Sequence, residues 1–79
     1  MSPTVFRHEQ YRFFFFSREE ARMHVHIQSG KGEAKFWLEP EVALAQSHGL
    51  SPKELRKLRT VVEDKRDEIE KKWRKHFGG

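Results

Sequence analysis

ARMHVHIQSGKGEAKFWLEP, residues 21–40, is the stretch around which the rest of the chain can be arranged. Within it, residues 24–28 and 33–38 alternate in character on either side of Ser29-Gly30-Lys31-Gly32. Glycine reaches positive φ without steric cost, so this spacing predicts a β-hairpin with Ser29 to Gly32 as its loop. That loop sets Gln28 against Glu33, Ile27 against Ala34, His26 against Lys35, Val25 against Phe36 and His24 against Trp37. Because side chains alternate faces along a strand, Val25, Ile27, Ala34, Phe36 and Leu38 share one apolar face. His24, His26, Lys35 and Trp37 share the other. A slip of one residue would mix the two faces, so the apolar side is expected to be core and the His/Lys/Trp side a solvent-facing working surface.

The chain has 79 residues and is read as one domain, with residues 1–45 forming the sheet and residues 51–77 a helical segment. A core of this size supplies only ~3–5 kcal/mol without a staple. The sequence contains no cysteine, which suits a reducing cytoplasm and leaves no disulfide to help. Stability is therefore expected from aromatic packing, for which seven Phe, two Trp and one Tyr are a large supply. A homodimer would be a further source. The opening MSPTVFRHEQ lacks the charged and apolar regions of a signal peptide, and no apolar run approaches the ~20 residues that span a bilayer. The expectation is a soluble, cytoplasmic protein without a membrane partner.

The net charge of +4 is localised. Residues 1–51 hold six basic and six acidic side chains, whereas residues 52–79 hold ten basic and six acidic ones. A basic excess points to nucleic acid or an acidic protein partner; interspersed acids also describe an ordinary solvated helix.

Upstream of the hairpin, TVFR (residues 4–7) and YRFFFF (residues 11–16) are rich in β-formers and predict a second hairpin around His8-Glu9-Gln10. Pro3 stands where a strand can begin without losing a ladder bond. Alternation puts Tyr11, Phe13 and Phe15 on one face of the second run and Arg12, Phe14 and Phe16 on the other. Both faces of that strand are expected to be covered. Residues 17–22 read as a loop or a short helical turn. Downstream, Pro40 interrupts the ladder, residues 42–45 read as a short fifth strand with Val42 and Leu44 on one face, and His48-Gly49 as a turn.

The helix start is the strongest local signal. Ser51-Pro52-Lys53-Glu54 places serine at the N-cap, proline at the first helical position and glutamate three residues after the cap, a capping box. Leu50 and Leu55 complete a hydrophobic staple. Leu55, Leu58, Val62, Ile69 and Trp73 then follow helical spacing, with Val61 and Phe77 adding to the stripe and Lys65 interrupting it. One helix over residues 52–77 would be ~39 Å long, against a radius of gyration of ~12 Å for a domain of this size. The segment must overhang, bend near residues 63–66, or be two helices. The fold class is α+β: an antiparallel sheet of four or five strands packed on one face by a long or broken C-terminal helix. Val25, Ile27, Phe36 and Leu38 should meet Leu55, Leu58, Val62 and Ile69.

TVFR, YRFFFFS, HVHIQSGKGEAKFWLEPEV, GLS and the closing W-x-x-x-F together resemble the bacterial domain-of-unknown-function family numbered 4160. The most distinctive part is HVH followed by GEAKFWLEP; the two prolines that often precede the first histidine in that family are replaced here by Ala21-Arg22-Met23. The resemblance implies a small cytoplasmic bacterial protein associated with toxin–antitoxin-like gene pairs. It implies no catalytic residue.

Three kinds of chemistry suit the His/Lys/Trp face. His24 and His26 project the same way ~7 Å apart, a metal-ligand spacing, but zinc needs three or four ligands and His8, His48, Glu39 or Glu41 would have to complete the set; no metal or other cofactor is assigned. Metal-independent RNA cleavage needs an acid, a base and a cation, which His24, His26, Lys35 and Arg12 or Arg22 could provide, with Tyr11 or Trp37 stacking a base. Binding without chemistry needs only an aromatic and basic face, with Trp37 as platform and Arg12 and Lys35 beside it. Lys71, Lys72, Arg74 and Lys75 would add a basic helix end, although cations at a helix C-terminus also simply complement its dipole. The expected function is a binding module of a toxin–antitoxin-like pair that engages RNA or a small acidic cognate protein. The alternative is a ribonuclease using His24 and His26.

Overall fold

The computed structural model describes residues 4–15 and 22–78. The central hairpin has the predicted strands, β3 (His24–Gln28) and β4 (Glu33–Trp37). Its register pairs His24 with Trp37, Val25 with Phe36, His26 with Lys35, Ile27 with Ala34 and Gln28 with Glu33. The loop closes through the Ser29 N–H, which donates to Gly32 O at 2.9 Å.

The glycines of that loop act differently from the expectation. Neither Gly30 nor Gly32 has positive φ. Gly32 is instead required by close approach, because a Cβ there would lie 2.0 Å from His48 O and 2.8 Å from Gly49 Cα. The loop therefore rests on the end of the last strand.

Two further strands precede the hairpin, β1 (Thr4–His8) and β2 (Tyr11–Phe14). They are joined by Glu9-Gln10, with Glu9 at φ 56, a left-handed conformation that glycine or asparagine more often supplies. The Glu9 carboxylate is paired with the Lys57 ammonium, which ties this turn to the helical layer. The strand predicted over residues 42–45 is longer and later than expected, β5 (Ala43–His48). Its pairing with β4 shifts between Lys35 and Phe36, which returns Gln46 to register with Lys35 and His48 to register with Glu33. Val42 is buried just before it, whereas Leu44 is 43% exposed, so the two do not share the core as predicted. The five strands form one antiparallel sheet in the order β1-β2-β3-β4-β5. Pro3, Phe16 and residues 17–21 lie outside the described residues.

The C-terminal segment resolves into two helices, α1 (Pro52–Asp64) and α2 (Arg66–Phe77). Ser51 and Glu54 form the capping box in both directions: Glu54 N–H donates to Ser51 Oγ at 3.1 Å and Ser51 N–H to Glu54 Oε1 at 3.2 Å. The break falls at Lys65, where the apolar stripe is interrupted. An unbroken helix of ~39 Å would exceed the longest dimension of the molecule, 34 Å. Breaking at Lys65 keeps Leu58 and Val62 on α1, and Ile69 and Trp73 on α2, over the same core. Gly78, in the left-handed conformation, caps α2 through its N–H to Arg74 O at 2.8 Å.

The core follows the predicted sidedness. Val25, Ile27, Ala34, Phe36 and Leu38 are buried together with Leu58, Val62 and Ile69, while Leu50 and Leu55 pack partly buried at its margin. Tyr11, Phe13 and Phe15 join from β2 and its end. Long polar side chains tie the layers at their edges: Lys72 Nζ donates to Val5 O at 2.7 Å, Arg59 to Val42 O at 3.3 Å and Arg66 to Pro40 O at 3.3 Å. Among the described residues, no helix is long and apolar enough to cross a membrane.

Candidate functional site

With both helices on the apolar side, the opposite face of the sheet presents side chains in cross-strand rows. One row runs Phe14, His26, Lys35 and Gln46 across β2, β3, β4 and β5. The next runs Arg12, Gln28, Glu33 and His48. The third joins His24, Trp37 and Ala43. Between the first two rows lies a groove of about 520 Å³, lined by Phe14, His26, Glu33, Lys35, Gln46 and His48 together with Ile27, Ala34 and Ser47. Its volume falls within the ~300–1,000 Å³ typical of ligand sites.

Ring contacts hold the near wall of the groove. His26 stacks on Phe14 with centroids 5.5 Å apart and planes 26° apart. The Arg12 guanidinium lies 4.6 Å from the centroid of the same Phe14 ring, and Arg12 Nε donates to Thr4 Oγ1 at 2.7 Å. His24 meets the His26 ring edge-on at 5.0 Å.

His24 departs from the expectation of a solvent-facing row. It is 1% exposed. Its Nδ1 is 2.7 Å from Arg22 O, and its ring packs against Trp37 at 5.5 Å and against Trp73 of α2 at 5.1 Å. Lying at the end of β3 where α2 reaches the sheet, it joins the aromatic cluster instead of the open surface. In this position the ring packs with His26 and the two indoles.

Trp37 is half-buried, and its ring is already engaged by cations. The Arg22 guanidinium lies 4.2 Å from the ring centroid and the Lys35 ammonium 4.5 Å. Arg22 is fixed in turn by its Nε hydrogen bond to Glu39 O at 3.0 Å. These cation–π contacts make Trp37 an anchor for the charges rather than the open stacking platform expected of it.

The basic helix end is a separate surface. Lys71, Lys72, Arg74 and Lys75 are all exposed on α2, the layer that covers the other side of the sheet. Lys72 is spent on Val5 O and lies 3.8 Å from Glu68, and Arg74 pairs with Glu70 at 3.3 Å. None of these four lines the groove.

Gln46 and His48 belong to the groove but were not among the candidate binding residues. The expected fifth strand ends at residue 45 and His48-Gly49 reads as a turn; Gln46-Ser47-His48 is polar throughout, so no alternation marks these residues as strand. Among the described residues, no three His, Asp or Glu side chains come together as a metal site, so His8, His48, Glu39 and Glu41 do not complete a set around His24 and His26.

Away from the groove, two contacts shift acidities. The hydrogen bond from Tyr11 to Glu54, with burial and the carboxylate charge adding to it, pushes the phenol up to about 12. The same bond, helped by the Ser51 backbone N–H, holds the Glu54 carboxyl below its ordinary value. The Glu9 carboxyl is held down by its Lys57 partner.

The family model described as "Domain of unknown function (DUF4160)" matches residues 11–74, from the start of β2 into the last turns of α2. This chain belongs to that family. In this DUF4160 chain the match includes β2 to β5, and hence every residue lining the groove. No curated protein and no solved structure matches this chain.

Proposed function

We propose that this DUF4160 chain is a small binding module of a toxin–antitoxin-like pair that engages single-stranded RNA along the outer face of its sheet. The observation that supports this reading most is the groove in which Lys35, His26, Gln46 and His48 converge from β3, β4 and β5. An ammonium suits a phosphate, imidazoles and a carboxamide suit base edges and 2′-hydroxyls, and a shallow, open face suits unpaired nucleotides. Arg12 stands one row away and adds positive charge at the groove's margin. Glu33, opposite His48, lines the same groove and offsets part of that charge.

The test is fluorescence anisotropy with a labelled single-stranded RNA over a range of salt. The expected result is a linear fall of log affinity with log salt, at ~0.7 per neutralised phosphate for a single strand, and weaker binding for Lys35→Ala. Absence of RNA binding at low salt overturns the reading. Capture of polyglutamate in its place would assign the face to an acidic protein partner.

A further inference from the structure

We infer that the groove cleaves the RNA it binds, with His26 and His48 as the proton-transferring pair and Lys35 as the cation that stabilises charge on phosphorus. The inference rests on the RNA-binding reading and adds a reaction to it. It also exchanges one histidine of the expected pair: His24 is enclosed among Trp37, Trp73 and His26, whereas His48 is exposed and lines the groove.

The sheet register places the three groups in sequence. His26 is directly opposite Lys35 on β4, and Lys35 is opposite Gln46 on β5, two residues from His48. Two strand spacings and two residues separate the histidines, so their Cα atoms stand ~12 Å apart on one face. The two imidazoles therefore stand on either side of the Lys35 position instead of touching each other; the Lys35 ammonium rests over the Trp37 ring at 4.5 Å and reaches a phosphate between them by turning its flexible four-carbon stem. Both positions are braced. His26 is held by its stack on Phe14 and by the edge of His24. His48 is held by its backbone, because Gly32 and Gly49 pack the loop of the central hairpin against the end of β5.

Two imidazoles and an ammonium suffice for the internal transesterification of RNA. The 2′-oxygen bonds to the adjacent phosphorus while its proton passes to one imidazole. The bond from phosphorus to the 5′-oxygen breaks, and that oxygen leaves with a proton from the other. The products are a 2′,3′-cyclic phosphate and a 5′-hydroxyl, and no water or further reactant is consumed. Charge accumulates on the non-bridging oxygens in the transition state, where the Lys35 ammonium stabilises it. Histidine serves both proton transfers near neutrality, and the substrate must carry a 2′-hydroxyl, which restricts the reaction to RNA.

The experiment uses the full chain with an end-labelled single-stranded RNA in excess chelator, and the DNA of the same sequence in parallel. Anisotropy reports binding in the same samples. The expected result is cleavage of RNA alone, a terminal cyclic phosphate, a bell-shaped pH dependence, and a loss of at least ~100-fold in His26→Gln and in His48→Gln, the range for removal of a general acid or base. Lys35→Met, which keeps the aliphatic stem, should lose activity as well. Circular dichroism establishes that each variant is folded; His48 is exposed, so its variant does not disturb the core. Binding without cleavage overturns the inference and leaves the binding module standing, whereas absence of binding overturns both. Cleavage that stops in chelator, extends to DNA, or survives both histidine substitutions also overturns it.

Discussion

Tyr11 donates its hydroxyl hydrogen to Glu54 Oε2 at 2.7 Å, joining the start of β2 to the first turn of α1 across 43 positions of sequence. The same carboxylate closes the capping box with its other oxygen, at Ser51 N. One glutamate thus fixes both the beginning of the helix and its docking against the sheet.

Removing the phenol hydroxyl separates these roles. Tyr11→Phe should lower stability by about 1.5 kcal/mol, where the ranges for neutral and charged hydrogen bonds meet. The pH dependence has a defined sign. Tyr11 holds its proton up to about 12 in the folded chain, above its ordinary value of 10, so its contribution is complete below pH 10 and is lost as pH rises toward 12. Glu54 is shifted the other way, so its contribution is present above pH 4.5 and is lost as pH falls through the folded value. Denaturant titrations of wild type and Tyr11→Phe across both limbs should differ least at acidic and alkaline extremes and most between them. Because Tyr11 is the chain's single tyrosine, phenolate absorbance reads its titration directly.

Ser51→Ala removes the hydroxyl that accepts from Glu54 N–H and should cost about 1 kcal/mol, the usual value of an N-cap. Urea unfolding should show a lower midpoint with an unchanged slope, since α1 remains packed through Leu58 and Val62.

The glycines of the central loop make opposite predictions. Gly30→Ala meets nothing within 4 Å and should be neutral or slightly stabilising. Gly32→Ala drives a methyl into His48 O and Gly49 and should cost about 2–3 kcal/mol, at the upper end of ordinary substitutions. Thermal unfolding of the pair reads the difference, and equal melting temperatures would contradict the close approach.

His24→Ala empties a site between two indoles and a second imidazole and should destabilise by about 2–3 kcal/mol, in the range of core truncations. Gln28→Ala, exposed on the same strand, should change stability by less than about 0.5 kcal/mol. Chemical denaturation of both tests whether His24 is a packing residue.

Which parts of this arrangement were legible in sequence follows from how local each signal is. The register of the central hairpin was readable because apolar and polar residues alternate cleanly on both strands. The capping box was readable because its residues all lie within four positions. The end of β5 was not, since residues 46–48 carry little β-propensity and are held by pairing with β4. Glu9 in a left-handed turn carries no local mark either; Lys57, far along the chain, receives its carboxylate. His24 had the alternation of a surface residue, and its burial depends on where α2 delivers Trp73, a tertiary fact that no strand pattern contains. For the same reason sequence alone could not separate the basic helix end from the groove.

The proposed RNA interface is the outer face of the sheet, not the basic end of α2. The most direct measurement is a titration of the isotopically labelled chain with single-stranded RNA, followed by amide and imidazole NMR shifts. Concerted shifts at His26, Lys35, Gln46 and His48, with Lys71, Lys72, Arg74 and Lys75 unmoved, are the predicted result. Shifts confined to those four residues of α2, with the groove silent, would contradict the account.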